Sequence, residues 1–420
     1  MNKLEMPASV TNQIINGVAL GLALILSAIC IHYHLNVMIT ALLTIGVYAG
    51  TIIILEIVYL NTPSRPSTGL RKFHSNINYA RVVIKLLGLY FTLLLLCLAY
   101  WLFPEYYQNM YQPYWRFFKY GLGVIAILAI PYFIFIDPKE KDPLDAYWQV
   151  GRMLCFKAKP NYAIAQHFLA WTVKGFFLPL MFVYFIQNLE VMTNGGILLP
   201  KNINEAFHVA LLLLFTIDVF AAVTGYIFTM RIFDAHIRST DPTCLGWVVC
   251  IVCYQPFNNF LNQFYLTDFV EHTWLQWIQN EYVLLLWFLM ILFLLIVYVL
   301  ATIAFGIRFS NLTHRGIITN GPYRYTKHPA YLCKTLYWWL TCIPFTHIMT
   351  DALSTFKLIL FLTVLSMIYY LRAKTEEAHL SKDPTYVQYA RWIDEHGLFA
   401  PVTKRLSFLR SGQAKASEVQ

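Results

Sequence analysis

Tyr282-Val-Leu-Leu-Leu-Trp-Phe-Leu-Met-Ile-Leu-Phe-Leu-Leu-Ile-Val-Tyr-Val-Leu-Ala-Thr-Ile-Ala-Phe305 runs for two dozen residues without a charged side chain. A helix rising about 1.5 Å per residue needs ~20 such residues to cross ~30 Å of hydrocarbon, so this stretch reads as a transmembrane helix. Apolar runs of similar character occupy residues 14–33, 37–60, 82–103, 118–136, 163–187, 205–230, 331–349 and 352–371. A shorter one, 245–261, is interrupted by Gln255-Pro256 and Asn258-Asn259. The chain of 420 residues is 58% hydrophobic and 13% charged, with a mean hydropathy of +0.53. A water-soluble fold of this length cannot hide that much apolar surface, so the bilayer is its solvent. The expected fold class is all-α, a polytopic integral membrane protein of about ten transmembrane helices.

Lys and Arg sort between alternate loops. One set holds Arg65, Arg71, Lys72 and Arg81, then Lys139, Lys141, Arg152, Lys157 and Lys159, then Arg231 and Arg238, then Arg308, Arg315, Arg324 and Lys327, and last the C-terminal tail. The opposite loops carry little beyond Arg116 and Lys201. Basic loops stay cytosolic, so ten spans with both termini in the cytosol satisfy every loop. The net charge of +9 then reflects topology and attraction to anionic membrane lipids, and no nucleic-acid partner is needed. The first apolar run is too long for a cleavable signal and is followed at once by a second.

Other features describe a membrane protein without naming its work. Six of eight cysteines fall in apolar runs, and Cys250-Ile-Val-Cys253, with no second pair, reads as packing. The segment from Leu144 to Phe156 mixes apolar and basic residues and is expected to form a short interfacial helix. Glu56, Lys85, His167, Lys174, His208 and Asp218 lie at membrane depth, where ionisable groups mark function or specific pairing. Asp218 is the deepest, and an interhelical hydrogen bond is the competing reading for it.

Two polar clusters close the chain. Arg315-Gly-Ile-Ile-Thr-Asn-Gly-Pro-Tyr-Arg-Tyr-Thr-Lys-His-Pro-Ala-Tyr331 separates two apolar runs, and Gly321-Pro322 and Pro329 make it a shaped loop. Arg372-Ala-Lys-Thr-Glu-Glu377 ends the last run, placing Arg372 and Glu376 on one helix face. A helix hairpin brings both clusters to the same bilayer surface. By composition alone they are a basic interfacial loop and a solvated ion pair.

The order of residues adds a resemblance to the isoprenylcysteine carboxyl methyltransferase family, over about residues 309–401. The family's pattern of two apolar residues, Thr, Gly, Tyr, a basic residue and His-Pro-x-Tyr is met by Ile317-Ile318, Thr319, Gly321, Tyr323, Lys327 and His328 to Tyr331. The second element continues through Leu380, Tyr386 and Tyr389. Cys333 stands where the family usually has Gly, and Asp383-Pro384 where Phe-Gly is common. The resemblance implies a membrane methyltransferase using S-adenosylmethionine. The cofactor-binding residues it implies are Ile317, Ile318, Tyr323, His328, Pro329, Ala330, Tyr331, Glu376 and Glu377, with Arg372 facing the acceptor's carboxylate and no metal. The acceptor implied is a lipophilic small molecule or lipidated chain entering from the bilayer, with carboxyl methylation the leading reaction. A lipid amine is the alternative acceptor, with His379 as base. A sterol-type reductase using NADPH, and a transporter centred on Asp218, are alternatives of other classes. The expected division is a membrane region at 1–306, a methyltransferase-like region at 307–401 and a polar tail at 402–420.

Overall fold

A computed structural model describes residues 5–72, 76–157, 159–195, 200–259, 273–342 and 352–405. Its helices, in chain order, are α1 (Gln13–His32), α2 (Val37–Leu60), α3 (Tyr79–Leu102), α4 (Gln112–Ile136), α5 (Ala146–Leu154), α6 (Tyr162–Gly195) and α7 (Ile203–Ile227). They continue with α8 (Cys244–Ile251), α9 (Thr273–Trp277), α10 (Glu281–Ile303), α11 (Pro329–Cys342), α12 (Ala352–Leu380), α13 (Pro384–His396) and α14 (Ala400–Arg405). Among the described residues the only sheet is a pair of two-residue strands, β1 (Ser239–Thr240) antiparallel to β2 (Thr313–His314).

Eight of these helices, α1, α2, α3, α4, α6, α7, α10 and α12, are long and apolar enough to cross a membrane. The protein is thus an all-α polytopic membrane protein. Asparagine starts five of them: Asn12, Asn36, Asn78, Asn202 and Asn280 each accept backbone N–H groups of the first turn. Helix N-termini leave donors unpaired, and a short amide side chain at the membrane edge satisfies them.

One expected span takes a different form, and another is described only in part. Residues 245–261 do not form one transmembrane helix: α8 stops after eight residues, at Ile251. Pro256 lacks the N–H a helix needs, and the chain turns instead, with 260–272 outside the described residues. Beyond that gap, Trp274 packs edge-on against Phe207, near the start of α7, at 5.1 Å. Span 331–349 begins as α11 and is helical to Cys342. Its remainder, like the tail from 406 onward, lies outside the described residues.

The loops rich in Lys and Arg gather on one face. Val10 N–H donates to the Ile317 carbonyl at 3.1 Å, and Arg71 N–H donates to the Lys139 carbonyl at 2.7 Å. Arg65 donates to the Val10 carbonyl at 2.8 Å, and Gln166 pairs with Thr240 at 3.1 and 2.7 Å. The short helix after Leu144 appears as α5, laid across α3 with backbones nearly touching. A Cβ on Gly88 would sit 2.1 Å from the Tyr147 carbonyl oxygen, and one on Gly151 would sit 2.0 Å from that of Ile84. Glycine at both positions permits this approach.

The ionisable residues at membrane depth find partners. Glu56 pairs with Arg308. Lys85 pairs with Asp137 at 3.0 Å, with Asp145 at 3.6 Å and with Glu140. His167 meets Thr92 at 2.9 Å, and Lys174 donates to Thr229 at 3.0 Å. Asp218 accepts from the hydroxyls of Tyr298 and Thr302 at 2.6 Å each, tying α7 to α10. These partners offset the cost of burying charge.

Candidate active site

The loop between α10 and α11 is held by two buried guanidinium groups. Arg308 reaches Glu56 and the carbonyls of Phe233 and Asp234. Arg315 donates to five carbonyls, those of Gly225, Phe228, Ala235, Ile307 and Phe309. A planar fork with five N–H donors suits such a cradle. Downstream, Gly321 adopts φ +57, a left-handed conformation that favours glycine, and opens the turn Gly321–Arg324. The N-terminal segment closes over this loop: Thr319 donates to the Pro7 carbonyl at 2.9 Å, and Asn320 to that of Thr11 at 2.8 Å.

Between this loop, α8, α10, α11 and α12 lies a cleft with about 1000 Å³ of empty space, part of it open to solvent. Its wall includes Tyr323, His328, Ala330, Tyr331, Arg372 and Glu376. Ile317, Ile318, Pro329 and Glu377 lie behind it. Ile317 packs with Tyr386, Tyr389 and Ile393, Ile318 is buried, and Pro329 begins α11. Glu377 receives Lys374 at 2.8 Å and His328 Nε2 at 3.1 Å, with Lys327 at 3.7 Å.

The rings of His328 and Tyr331 stack at 5.6 Å, and those of Tyr331 and Tyr369 at 6.2 Å. Arg372 stands 5.0 Å over Tyr331 and 5.8 Å over Tyr254. The Tyr331 hydroxyl donates to Glu376 Oε2 at 3.0 Å. Glu376 keeps its side chain 40% exposed, whereas Arg372 is buried. Arg372 donates only to the Asn311 side-chain oxygen, at 3.2 Å, and among the described residues it has no carboxylate partner. Burial pushes the phenol of Tyr323 well above its ordinary value. At the outer rim, burial and Arg238 bring His314 down to about 4, against the opposing pull of Asp383.

Several wall residues went unmarked in the sequence. Asp241, Gly246, Cys250 and Tyr254 come from β1 to the turn after α8, Tyr298 and Thr302 from α10, and Lys334 from α11. Cys250 had read as simple packing; it is buried and also faces the cleft. Asn311, within the glycosylation-like Asn311-Leu-Thr313, has its amide nitrogen committed to Tyr226 and Tyr254 at 3.1 and 3.3 Å.

The arrangement sets an exposed carboxylate and aromatic faces beside a buried guanidinium. Such a cleft can hold a cation and an anion side by side. Residues 282–382, about a quarter of the chain, match the model of the isoprenylcysteine carboxyl methyltransferase family. No curated protein and no solved structure matches the chain. Its C-terminal part is thus similar to a family of methyltransferases, carried on a membrane-helix fold.

Proposed function

We propose that this cleft methylates a carboxylate on a lipophilic acceptor, using S-adenosylmethionine as donor. The observation that carries this reading is Arg372. It is a buried cation on the cleft wall with no carboxylate of its own among the described residues, and burial without a counter-charge is costly unless a ligand supplies one. Glu376 and the faces of Tyr331 and His328 fit the donor's cationic parts. When bound, S-adenosylmethionine supplies an electrophilic methyl group on a sulfonium.

The chain's own contribution is placement. Arg372 turns a carboxylate oxygen toward the donor side, and its packing against Tyr331 and Tyr254 fixes the direction of the guanidinium fork. A carboxylate oxygen held there would take the methyl group as the donor's carbon–sulfur bond broke toward sulfur, and no proton would need to move. Opposite charges are neutralised, so walls that exclude water favour the reaction. The basic loops gathered on this face support a cytosolic orientation, with donor arriving from water and acceptor from the bilayer. His379, also on the wall and 3.1 Å from the Ser239 hydroxyl, supports methylation of a lipid amine as the second reading.

The test uses the full chain in lipid nanodiscs with methyl-tritiated S-adenosylmethionine, offering a farnesylated N-acetylcysteine, palmitate and phosphatidylethanolamine in turn. Label that alkali releases as volatile methanol identifies a methyl ester and is the expected result. Alkali-stable label on the amine lipid alone would replace carboxyl by amine methylation. Absence of transfer to all three would remove the proposal.

A further inference from the structure

Residues 5–11, ahead of α1, lie as a strap along the loop that leads to Tyr323. Residues 315–320 of that loop are in neither helix nor strand, so their backbone groups must find partners elsewhere. The strap supplies them: Val10 N–H donates to the Ile317 carbonyl at 3.1 Å, and Thr319 N–H donates to the Ser9 hydroxyl at 3.2 Å. The fit is close. Gly316 holds φ +115, and a Cβ there would stand 2.9 Å from the Val10 side chain. The strap is anchored on its other side by Arg65, which donates to the Val10 carbonyl at 2.8 Å, and by Gln388 of α13, which donates to that of Glu5 at 2.9 Å. Thr11 is buried at its end. The Thr11 hydroxyl donates to the Ala304 carbonyl, just past α10, at 2.7 Å and accepts from the Asn320 amide at 3.2 Å. Ala304 precedes Phe305, and Asn320 opens the turn to Tyr323. The rings of Phe305 and Tyr323 meet edge-on at 5.4 Å on the cleft wall.

We infer that Thr11 is a positioning residue for the donor's side of the cleft, fixing the backbone behind Phe305 and Tyr323, and that it couples docking of the strap to donor binding. This rests on the methyltransferase reading, in which Tyr323 belongs to the donor site. Thr11 does not line the cleft; it acts through the loop. Gly316 and Gly321 both hold positive φ, and glycine loses the most conformational freedom on ordering. A loop held in place by the strap has met that cost before the donor arrives, and preorganisation of this kind raises affinity. The coupling runs both ways, so a bound donor must hold the strap down by the same factor. Residues 5–11 lie outside the family-matched residues 282–382, which gives the opening segment of this chain a part in the C-terminal site.

The experiment titrates the full protein in nanodiscs with sinefungin, a non-reactive analogue of the donor, by calorimetry, and follows hydrogen exchange of residues 5–11 and 317–323 by mass spectrometry. Thr11→Val keeps the shape and removes the hydroxyl. It should weaken binding by roughly five- to tenfold, the scale of one lost buried hydrogen bond, at unchanged stoichiometry, and should speed exchange at 317–323. A merely structural part for Thr11 would instead lower the stoichiometry and leave the affinity of the remaining sites alone. Thr11→Ser should restore wild-type binding. Asn320→Ala breaks the same contact from the loop side, serves if Thr11→Val does not fold, and combined with it should cost little more than either alone. In the wild type, sinefungin should slow exchange at residues 5–11. Wild-type affinity in both single variants, or a Thr11→Ser protein as weak as Thr11→Val, would overturn the inference and leave the methyltransferase reading standing. A wild type that binds no sinefungin would remove that reading, and the inference with it.

Discussion

The Glu56 carboxylate receives both terminal nitrogens of Arg308, at 2.9 and 2.8 Å, across 252 residues of chain. Both side chains are almost fully shielded, so the pair ties the end of α2 to the loop that leads into the cleft. Breaking such a pair from one side leaves a buried charge uncompensated, at a cost of about 3–5 kcal/mol. Glu56→Gln should lower thermal stability in detergent by that order, and Glu56→Met combined with Arg308→Met should restore most of it. A single variant as stable as the wild type would show that water reaches the pair.

Arg372 stands over Tyr331 while Tyr331 bonds Glu376, and on the proposed function the guanidinium marks the acceptor side and the carboxylate the donor side. Arg372→Lys keeps the charge and loses the planar fork. Turnover should fall by on the order of ten- to a hundredfold, or ~1.4–2.7 kcal/mol of transition-state stabilisation, with donor affinity nearly intact. Lost donor affinity with normal turnover at saturation would move Arg372 to the donor's own carboxylate.

His328 and Glu376 both line the cleft, His328 stacked on Tyr331 and Glu376 accepting from the Tyr331 hydroxyl. His328→Ala and Glu376→Gln should each weaken S-adenosylmethionine binding several-fold in calorimetry, with the protein still folded. Wild-type affinity in both variants would remove them from the donor site.

His314 provides a pH test. Its ordinary value of 6.5 falls to about 4 in the fold, through burial first and then the Arg238 charge. Above 6.5 the ring is neutral in folded and unfolded chains alike and contributes no slope. As pH falls from about 6.5 to about 4 the unfolded chain takes up a proton that the folded chain refuses, so stability drops across that window. Melting curves in detergent should show the drop, and His314→Gln should make it shallower. An identical pH profile in the variant would assign the drop to other groups.

Orientation is tested at Arg324, exposed on the face that carries the cleft. In a cysteine-free background, Arg324→Cys should react with a membrane-impermeant maleimide added from the cytosolic side only. Labelling solely from the outside would invert the topology. Asn311 should stay unglycosylated, since its side chain is engaged inside the cleft.

Membrane spans were legible because a bilayer imposes its thickness on any helix that crosses it, and that length is written in consecutive residues. The sorting of Lys and Arg was legible for the same local reason, as was the His-Pro-x-Tyr loop, whose residues are neighbours in the chain. What could not be read were relations between distant segments. Glu56 was one of several ionisable residues at membrane depth, with no partner named until the fold brought Arg308 to it, and Asp218 became an interhelical tie only when α10 brought Tyr298 and Thr302 alongside. Residues 245–261 carried enough apolar character to suggest a span, but the chain turns after Ile251 and brings Cys250 and Tyr254 to the cleft wall. Sequence by itself determined the solvent, the helices and the chemistry available at one surface, all set by local composition. Which side chains wall the cleft, and that Arg372 stands there without a carboxylate partner among the described residues, depended on packing among α8, α10, α11 and α12, a matter of three-dimensional distance that no local pattern encodes.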